Sequence, residues 1–453
     1  MPDNMIEKII NSERAAEIFT ELYGKDNIDA ARRRYAALAK NMPAANMLQD
    51  EHGGTQEELR VFSAPGRTEL AGNHTDHNRG KVLAASIHLD SAAIVQKRGD
   101  GVVSFRSTGF PDVNIRLTDK SGSPCLKPNP EEKGTTEALV RGIAAELTRR
   151  GCAAGGFSAN ADSTVLPGSG LSSSAAVEAL LCRIFDSLYG EGKRGSVEIA
   201  QIGRLAENAY FGKPCGLMDQ IACAAGGAVF IDFAGEADPE VKPVGFDLAA
   251  AGYALCAVNT GGSHAGLTSD YASIPAEMKA VAAFFGKSVL REIDRETVLS
   301  SAAGVRKSLG DRALLRAIHF FDENERVDAM TAALAGMESA DTADAKQRAL
   351  YSYLELVNES GNSSCELLQN AYSPHRPEAQ GISAALALSK DFFRKQKARG
   401  ACRVHGGGFA GSIQAYLPLD AMDAYRANIE AVFGAGSLTI LRIRSKGAVE
   451  LFF

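Results

Sequence analysis

Apolar and charged positions recur at helical spacing from residue 5 to 42, in MIEKII and in AARRRYAALAK, and predict helices leading into a first polar cluster. The polar stretch 53–58 reads as a connector, and LRVFSAP at 59–65 as a strand that stops at Pro65. Long strand structure is expected over 82–97 and again over 101–117, broken by the Gly-Phe-Pro at 109–111. From 134 the period becomes helical and ends at Gly151. A strand at 156–165 then feeds a Gly/Ser loop, followed by helices over 172–188 and 196–210. Strands are predicted at 226–233 and 253–261, mostly helix over 268–370, and a strand–turn–strand unit at 398–418. Interleaving of this kind predicts an α+β fold.

With 453 residues the chain is too long for one ordinary core. The expected division is an N-terminal helical region (1–58), a first domain (59–245) and a second (246–453). Hydrophobic residues make up 45% and charged residues 23%, the balance of a soluble globular protein. The net charge of −6, with both signs mixed along the chain, lacks the basic footprint of a nucleic-acid binder. No run approaches the ~20 apolar residues of a membrane span, so neither nucleic acid nor membrane is expected as a partner. Eight scattered cysteines form no CxxC pair and read as reduced thiols, hence a cytoplasmic protein.

Four segments carry candidate chemistry. The first is VLPGSGLSSSAA at 165–176. Gly168 and Gly170 let backbone approach an anion, and Ser172, Ser173 and Ser174 open a helix whose N-terminal N–H groups favour phosphate. It is not a Walker A loop, because GxxxxGK[ST] is absent. Alone, it also fits a Gly-rich turn with a serine cap. The second is APGRTELAGNHTDHNRG at 64–80, with Arg67, Glu69, Asn73, His74, Asp76, His77 and Asn78 in twelve positions. Sugar recognition needs such density, since every hydroxyl that leaves water requires a partner. The same residues fit a metal site or a plain polar loop. The third, ENAYFGKPCGLMDQ at 207–220, sets Asp219 at a helix start in partly apolar surroundings, where a base or an arginine-paired charge is found. An ordinary helix N-terminal aspartate is the plain alternative. The fourth, VHGGGFAGS at 404–412, implies close backbone packing or an anion nest.

In this order and at these separations, over about residues 60–450, the segments resemble the GHMP small-molecule kinases, and among them the galactokinase family. The second segment is similar to the signature GRxNLxGEHTDYNxG, the first to the PxGxGLSSSA phosphate loop, the third to GxMDQ and the fourth to the third GHMP motif. The resemblance implies two α+β domains with the active site in the cleft between them, and an ATP- and Mg2+-dependent kinase acting on the anomeric hydroxyl of galactose. Residues 59–245 and 246–453 would be its two kinase domains. It implies a catalytic pair, Asp219 taking the hydroxyl proton and Arg67 holding Asp219 ionised. Pro167, Gly168, Ser169, Gly170, Leu171, Ser172, Ser173 and Ser174 would cradle ATP, with Ser174 and Glu207 on Mg2+. Asn73, His74, Asp76, Gly216 and Tyr271 would meet the sugar. The expected assembly is a monomer or weak homodimer. The chain departs from the signature at Asn73, where the family has a glutamate facing C6 of galactose, and at His77, where it has a tyrosine. Ala71, Ser169, His405 and Ala410 also replace more usual residues, with His405 read as packed. A neutral Asn73 tolerates a 6-carboxylate that a glutamate repels. Galacturonate or arabinose are therefore the neighbouring substrates. A non-catalytic sugar- and ATP-binding regulator, or a metalloenzyme built on His74, Asp76 and His77, is the reading from another class.

Overall fold

The computed structural model describes residues 3–42, 59–119, 121–166, 168–213, 215–235 and 237–452. Pro167 and the predicted connector at 53–58 lie outside them. Three helices come first, α1 (Asp3–Ile10), α2 (Glu13–Tyr23) and α3 (Ile28–Lys40), as the helical spacing predicts. They pack Phe19, Leu22, Tyr35 and Leu38 against Val61, Ala92 and Ile94 of a large sheet.

That sheet is built from β1 (Arg60–Ala71), β2 (Lys81–Arg98), β3 (Val102–Ser107), β4 (Val113–Arg116), β5 (Gly156–Ser163), β6 (Ala228–Asp232) and β7 (Glu240–Val244). The short β12 (Val449–Leu451) completes it, in the order β12-β1-β2-β5-β3-β4, with β6 on β2 and β7 on β6. The second sheet holds β8 (Tyr253–Asn259), β9 (Ala401–His405), β10 (Ser412–Pro418) and β11 (Leu438–Leu441), antiparallel in the order β11-β8-β10-β9. The boundary expected at 245/246 falls between β7 and β8, which lie in different sheets. β12 returns from the far end of the chain to the first sheet.

One expectation needs correcting. β1 does not stop at Pro65 but runs on to Ala71. The ladder pairs Pro65 with Asp90 and Arg67 with Ser86, so β2 carries three residues opposite Gly66 alone. A proline without an N–H is tolerated at such an irregularity. A Cβ at Gly66 would lie 2.7 Å from the Leu171 carbonyl, which also accepts the Arg67 N–H at 3.1 Å. The irregularity therefore lets the Gly/Ser loop close onto β1.

One face of the first sheet is covered by α4 (Thr136–Arg149), α5 (Ser173–Tyr189) and α6 (Ser196–Leu205), around Val140, Ile143, Leu180 and Leu181. α7 (Met218–Ala225) packs beside them, with Ile221 against Val82 and Ala84. Helices α8 (Thr268–Phe284), α9 (Arg295–Ser300), α10 (Ala302–Leu309), α11 (Asp311–Glu338) and α12 (Ala343–Ser363) fill the predicted helical stretch. The sequence pattern did not assign α13 (Gly381–Gln396) or α14 (Met422–Phe433), which cover the second sheet. Val327, Met330, Tyr353 and Val357 of α11 and α12 form one core with Leu70 and Leu83 of the first sheet and Leu255 and Tyr416 of the second. Through that core the two sheets hold one cleft between them.

Candidate active site

The cleft is lined by Arg67, Asp219, Ser174 and Glu207 on one side and by Asn73, His74 and Asp76 on the other. At its base, Arg67 of β1 meets Asp219 in the first turn of α7. The contact is bidentate, Nε to Oδ1 at 2.7 Å and Nη2 to Oδ2 at 2.8 Å. The third guanidinium nitrogen, Nη1, donates to the Gly170 carbonyl at 2.5 Å, and the Ser172 hydroxyl donates to Asp219 Oδ2. Burial alone would raise the Asp219 carboxyl. Arg67 outweighs it by charge and hydrogen bonds, with Ser172 and Lys213 adding to it, and holds Asp219 below the usual aspartate range. The Arg67 side chain is 6% exposed and that of Asp219 33%, so the base stays open while its counter-charge is enclosed.

The Gly/Ser loop lies against this pair. Gly168 (φ 74°), Gly170 (φ 76°) and Ser172 (φ 60°) take left-handed backbone ahead of α5, a conformation used in backbone anion nests. A Cβ at Gly170 would stand 2.8 Å from Ser412 Oγ. Leu171 is buried and anchors the loop, while Ser169 Oγ bonds back to the Leu166 carbonyl at 2.6 Å. Ser173 opens α5, and Ser174, next along its first turn, lines the cleft.

Glu207 sits where α6 widens into a single π-helical turn (Ala206–Phe211), buried, with Lys213 Nζ 2.8 Å from Oε1. Gln220, beside Asp219, extends its amide nitrogen to Glu207 Oε2 (3.2 Å) and to Glu178 Oε2 (3.1 Å). Burial first, then Glu207, pushes the Glu178 carboxyl up to about 8. Among the described residues no group of three or more His, Cys, Asp or Glu side chains is placed to hold a metal ion. Ser174 and Glu207 are oxygen donors on the same cleft, and Glu207 already faces one cation.

The loop after β1 forms the opposite wall. His74 donates from Nε2 to the Gly407 carbonyl at 3.0 Å, and burial pushes its imidazole down to about 4, so it is neutral. Asp76 accepts the His77 N–H at 2.9 Å. A Cβ at Gly216 would stand 2.0 Å from Asp76 Oδ2, so any larger residue there displaces that carboxylate. Asn73, 1% exposed, donates to Glu69 Oε1 (2.9 Å) and to the Gly406 carbonyl (2.6 Å), and accepts from Asn370 (2.7 Å). Tyr271 is not among the residues lining the cleft. Its hydroxyl donates to the Gly408 carbonyl at 2.9 Å and meets His264 Nδ1 at 2.6 Å, so it holds the glycine turn from outside.

His405 is packed, and it connects the walls. Its Nε2 receives the Glu69 N–H (3.4 Å), its Nδ1 donates to Ser412 Oγ (3.1 Å), and Ser412 donates to the Ser169 carbonyl (2.9 Å). Two charged groups were given no role by the sequence. Lys213 lay inside the quoted third segment with no pattern to mark it. Glu69 is fully buried and ion-paired to Arg403 Nη2 at 2.7 Å, 334 positions away. In GRxNLxGEHTDYNxG the asparagine and glutamate stand where this chain has Glu69 and Asn73. Both residue types are kept, their places exchanged, and the two side chains touch.

Residues 138–227 match the GHMP kinase N-terminal domain, and residues 49–97 match the galactokinase galactose-binding signature. A galactokinase from Lactococcus lactis in complex with galactose superposes with a TM-score of 0.70 at 23% identity, covering 96% of this chain and 99% of that one. A mevalonate kinase superposes at 0.58 with 12% identity, over 85% and 99%. The fold is that of the GHMP kinases. A galactokinase from Streptomyces coelicolor is 33% identical over 390 residues, 84% of this chain and 91% of its own. One from Mannheimia succiniciproducens is 30% identical over 84% and 91%. The chain belongs to the galactokinase family.

Proposed function

We propose that this protein is an ATP-dependent sugar 1-kinase that transfers the γ-phosphoryl group to the anomeric hydroxyl of galactose, giving galactose 1-phosphate and ADP. The observation that carries the reading is the bidentate Arg67–Asp219 pair set against a left-handed Gly/Ser loop at a helix N-terminus. Phosphoryl transfer is mostly positioning and charge stabilisation. Three donors occupy Asp219, which leaves one lone-pair direction for the sugar C1 hydroxyl. Asp219 holds that hydroxyl and takes its proton, and Arg67 keeps the carboxylate ionised. The backbone of Gly168 to Ser174 receives the phosphates, and His74 and Asp76 line the sugar side.

Ser174 and Glu207 would hold Mg2+, for which an all-oxygen donor set is suited. When bound, the ion offsets charge on the phosphate oxygens. Lys213 now occupies one Glu207 oxygen and is itself held protonated. Burial opposes its charge, and Glu207 outweighs burial. The eight free thiols suit a reducing, cytoplasmic setting. Among the described residues, no helix is long and apolar enough to cross a membrane.

ADP release with Mg-ATP against galactose, galacturonate, arabinose and glucose tests the assignment. Asp219→Asn is expected to fold and bind ATP while kcat falls by roughly 10^3. Near-normal turnover in that variant removes Asp219 from the mechanism.

A further inference from the structure

Among the described residues lining the cleft, Glu69 is a carboxylate that the mechanism above does not use. It follows Arg67 by two positions on a regular stretch of β1, where Arg67, Thr68 and Glu69 pair with Ser86, Ala85 and Ala84. The two side chains thus share a face about 6.8 Å apart, roughly one pyranose ring. One carboxylate oxygen, Oε1, takes both Arg403 Nη2 and the Asn73 amide. The other, Oε2, receives no hydrogen bond among the described residues, and it is not one of the side-chain atoms sealed in protein without a partner. Since the residue is only 2% exposed and lines the cleft, the opening that Oε2 has is the cleft itself. Asn73, by contrast, has no amide proton left for a ligand, because both are held by Glu69 and the Gly406 carbonyl. Behind Glu69 the fully buried Arg403 fixes the carboxylate, so it cannot swing aside to admit a rival anion.

We propose that Glu69, rather than Asn73, is the specificity-determining residue of the sugar pocket: its free oxygen accepts a hydroxyl on the ring edge opposite C1 and turns away uronic acids. The inference rests on the kinase reading above for the placement of C1 at Asp219. A neutral hexose offers a hydroxyl donor at that edge. A uronate sets a second carboxylate against Glu69, and because burial pushes the Glu69 carboxyl up to about 7 in spite of Arg403, the repulsion is fullest above neutral pH.

The test uses Glu69→Gln, which keeps an acceptor for Arg403 and Asn73 and converts the free oxygen to an amide donor. Galactose KM and calorimetric Kd are expected to rise about tenfold with ATP KM unchanged. The galacturonate-to-galactose ratio of kcat/KM is expected to rise about tenfold as well. A folded Gln variant with unaltered galactose affinity and an unaltered ratio overturns the proposal. Because the Gln variant could unfold around Arg403, the exchange Glu69→Asn with Asn73→Glu is measured beside it. That double variant keeps one carboxylate and one amide in contact, and it is expected to go on rejecting galacturonate. If it accepts galacturonate as readily as galactose, charge at this position is not what selects. Galactose binding without turnover in the wild-type protein sinks the kinase reading and leaves the affinity test of Glu69 in force. No galactose binding at all sinks both.

Discussion

Loss of water around Asp219 would by itself raise its carboxyl, and the net lowering comes chiefly from the Arg67 guanidinium with its two parallel hydrogen bonds, with Ser172 and Lys213 adding to it. Lysine cannot reproduce that fork. Arg67→Lys is therefore expected to keep the fold and lose roughly 10^2 in kcat. It should also move the acid limb of the kcat/KM profile to higher pH. In the wild-type protein the depressed carboxyl stays ionised down to below about pH 3.9. Weakening the cation lets burial raise it, so protonation sets in earlier as pH falls. A pH–rate series on both proteins checks this, and coincident acid limbs would show that Arg67 does not set the ionisation of Asp219. Neighbouring residues were unequally legible. Arg67, Asp219 and Ser174 could be found because their types and order are distinctive. The contacts of Asn73 could not, because its partners Gly406 and Asn370 lie about three hundred positions away.

At the scale of elements, the Gly/Ser loop works only because β1 is interrupted at Gly66 and because Gly170 passes beneath Ser412. Gly170→Ala would impose both a left-handed alanine and a contact of 2.8 Å with Ser412 Oγ. The expected cost is about 1–2 kcal/mol of stability. ATP KM should rise more than sugar KM, since the loop faces the phosphates. Denaturant melts and two-substrate kinetics would show this, and equal rises in both KM values would assign the loop to general scaffolding. Periodicity located most elements here, because amphipathic helices and half-buried strands write their burial into the sequence. It failed at β1, where Pro65 signalled an end. The pairing of β2 with three residues opposite Gly66 overrode that signal, and no local pattern encodes such a slip. The short strands β7, β11 and β12 gave too few alternations to be recognised.

Over the whole molecule, the N-terminal helices are fastened by a buried charge. Asp90 of β2 is fully enclosed and accepts from Tyr23 OH (2.7 Å), Ser63, Arg34 and Arg444 Nη1 (3.1 Å). Burial favours its neutral form, but Arg34 and Arg444 outweigh burial and hold it below the ordinary value. A depressed carboxyl contributes stability above its unfolded pKa and loses it as pH falls through the folded one. Asp90→Asn leaves two arginines against a neutral amide and is expected to cost about 3–5 kcal/mol at pH 7. The gap from wild type should shrink below about pH 3.9. Urea melts at pH 7 and pH 3 measure both ends, and a constant gap would mean that ionisation of Asp90 contributes nothing.

The return of β12 to the first sheet bears on how the protein is made. Strand β1, which carries Arg67 and Glu69, pairs on one side with β2 nearby in sequence and on the other with β12, where Arg60 is ion-paired to Glu450 across 390 positions. As the chain leaves the ribosome, the strand bearing the candidate catalytic arginine has an open edge until almost every other element exists. Contacts of such long range close late and slowly, and an exposed strand edge invites pairing with another chain. The cleft's first sheet therefore carries an open edge beside its candidate catalytic arginine until its last rung is laid.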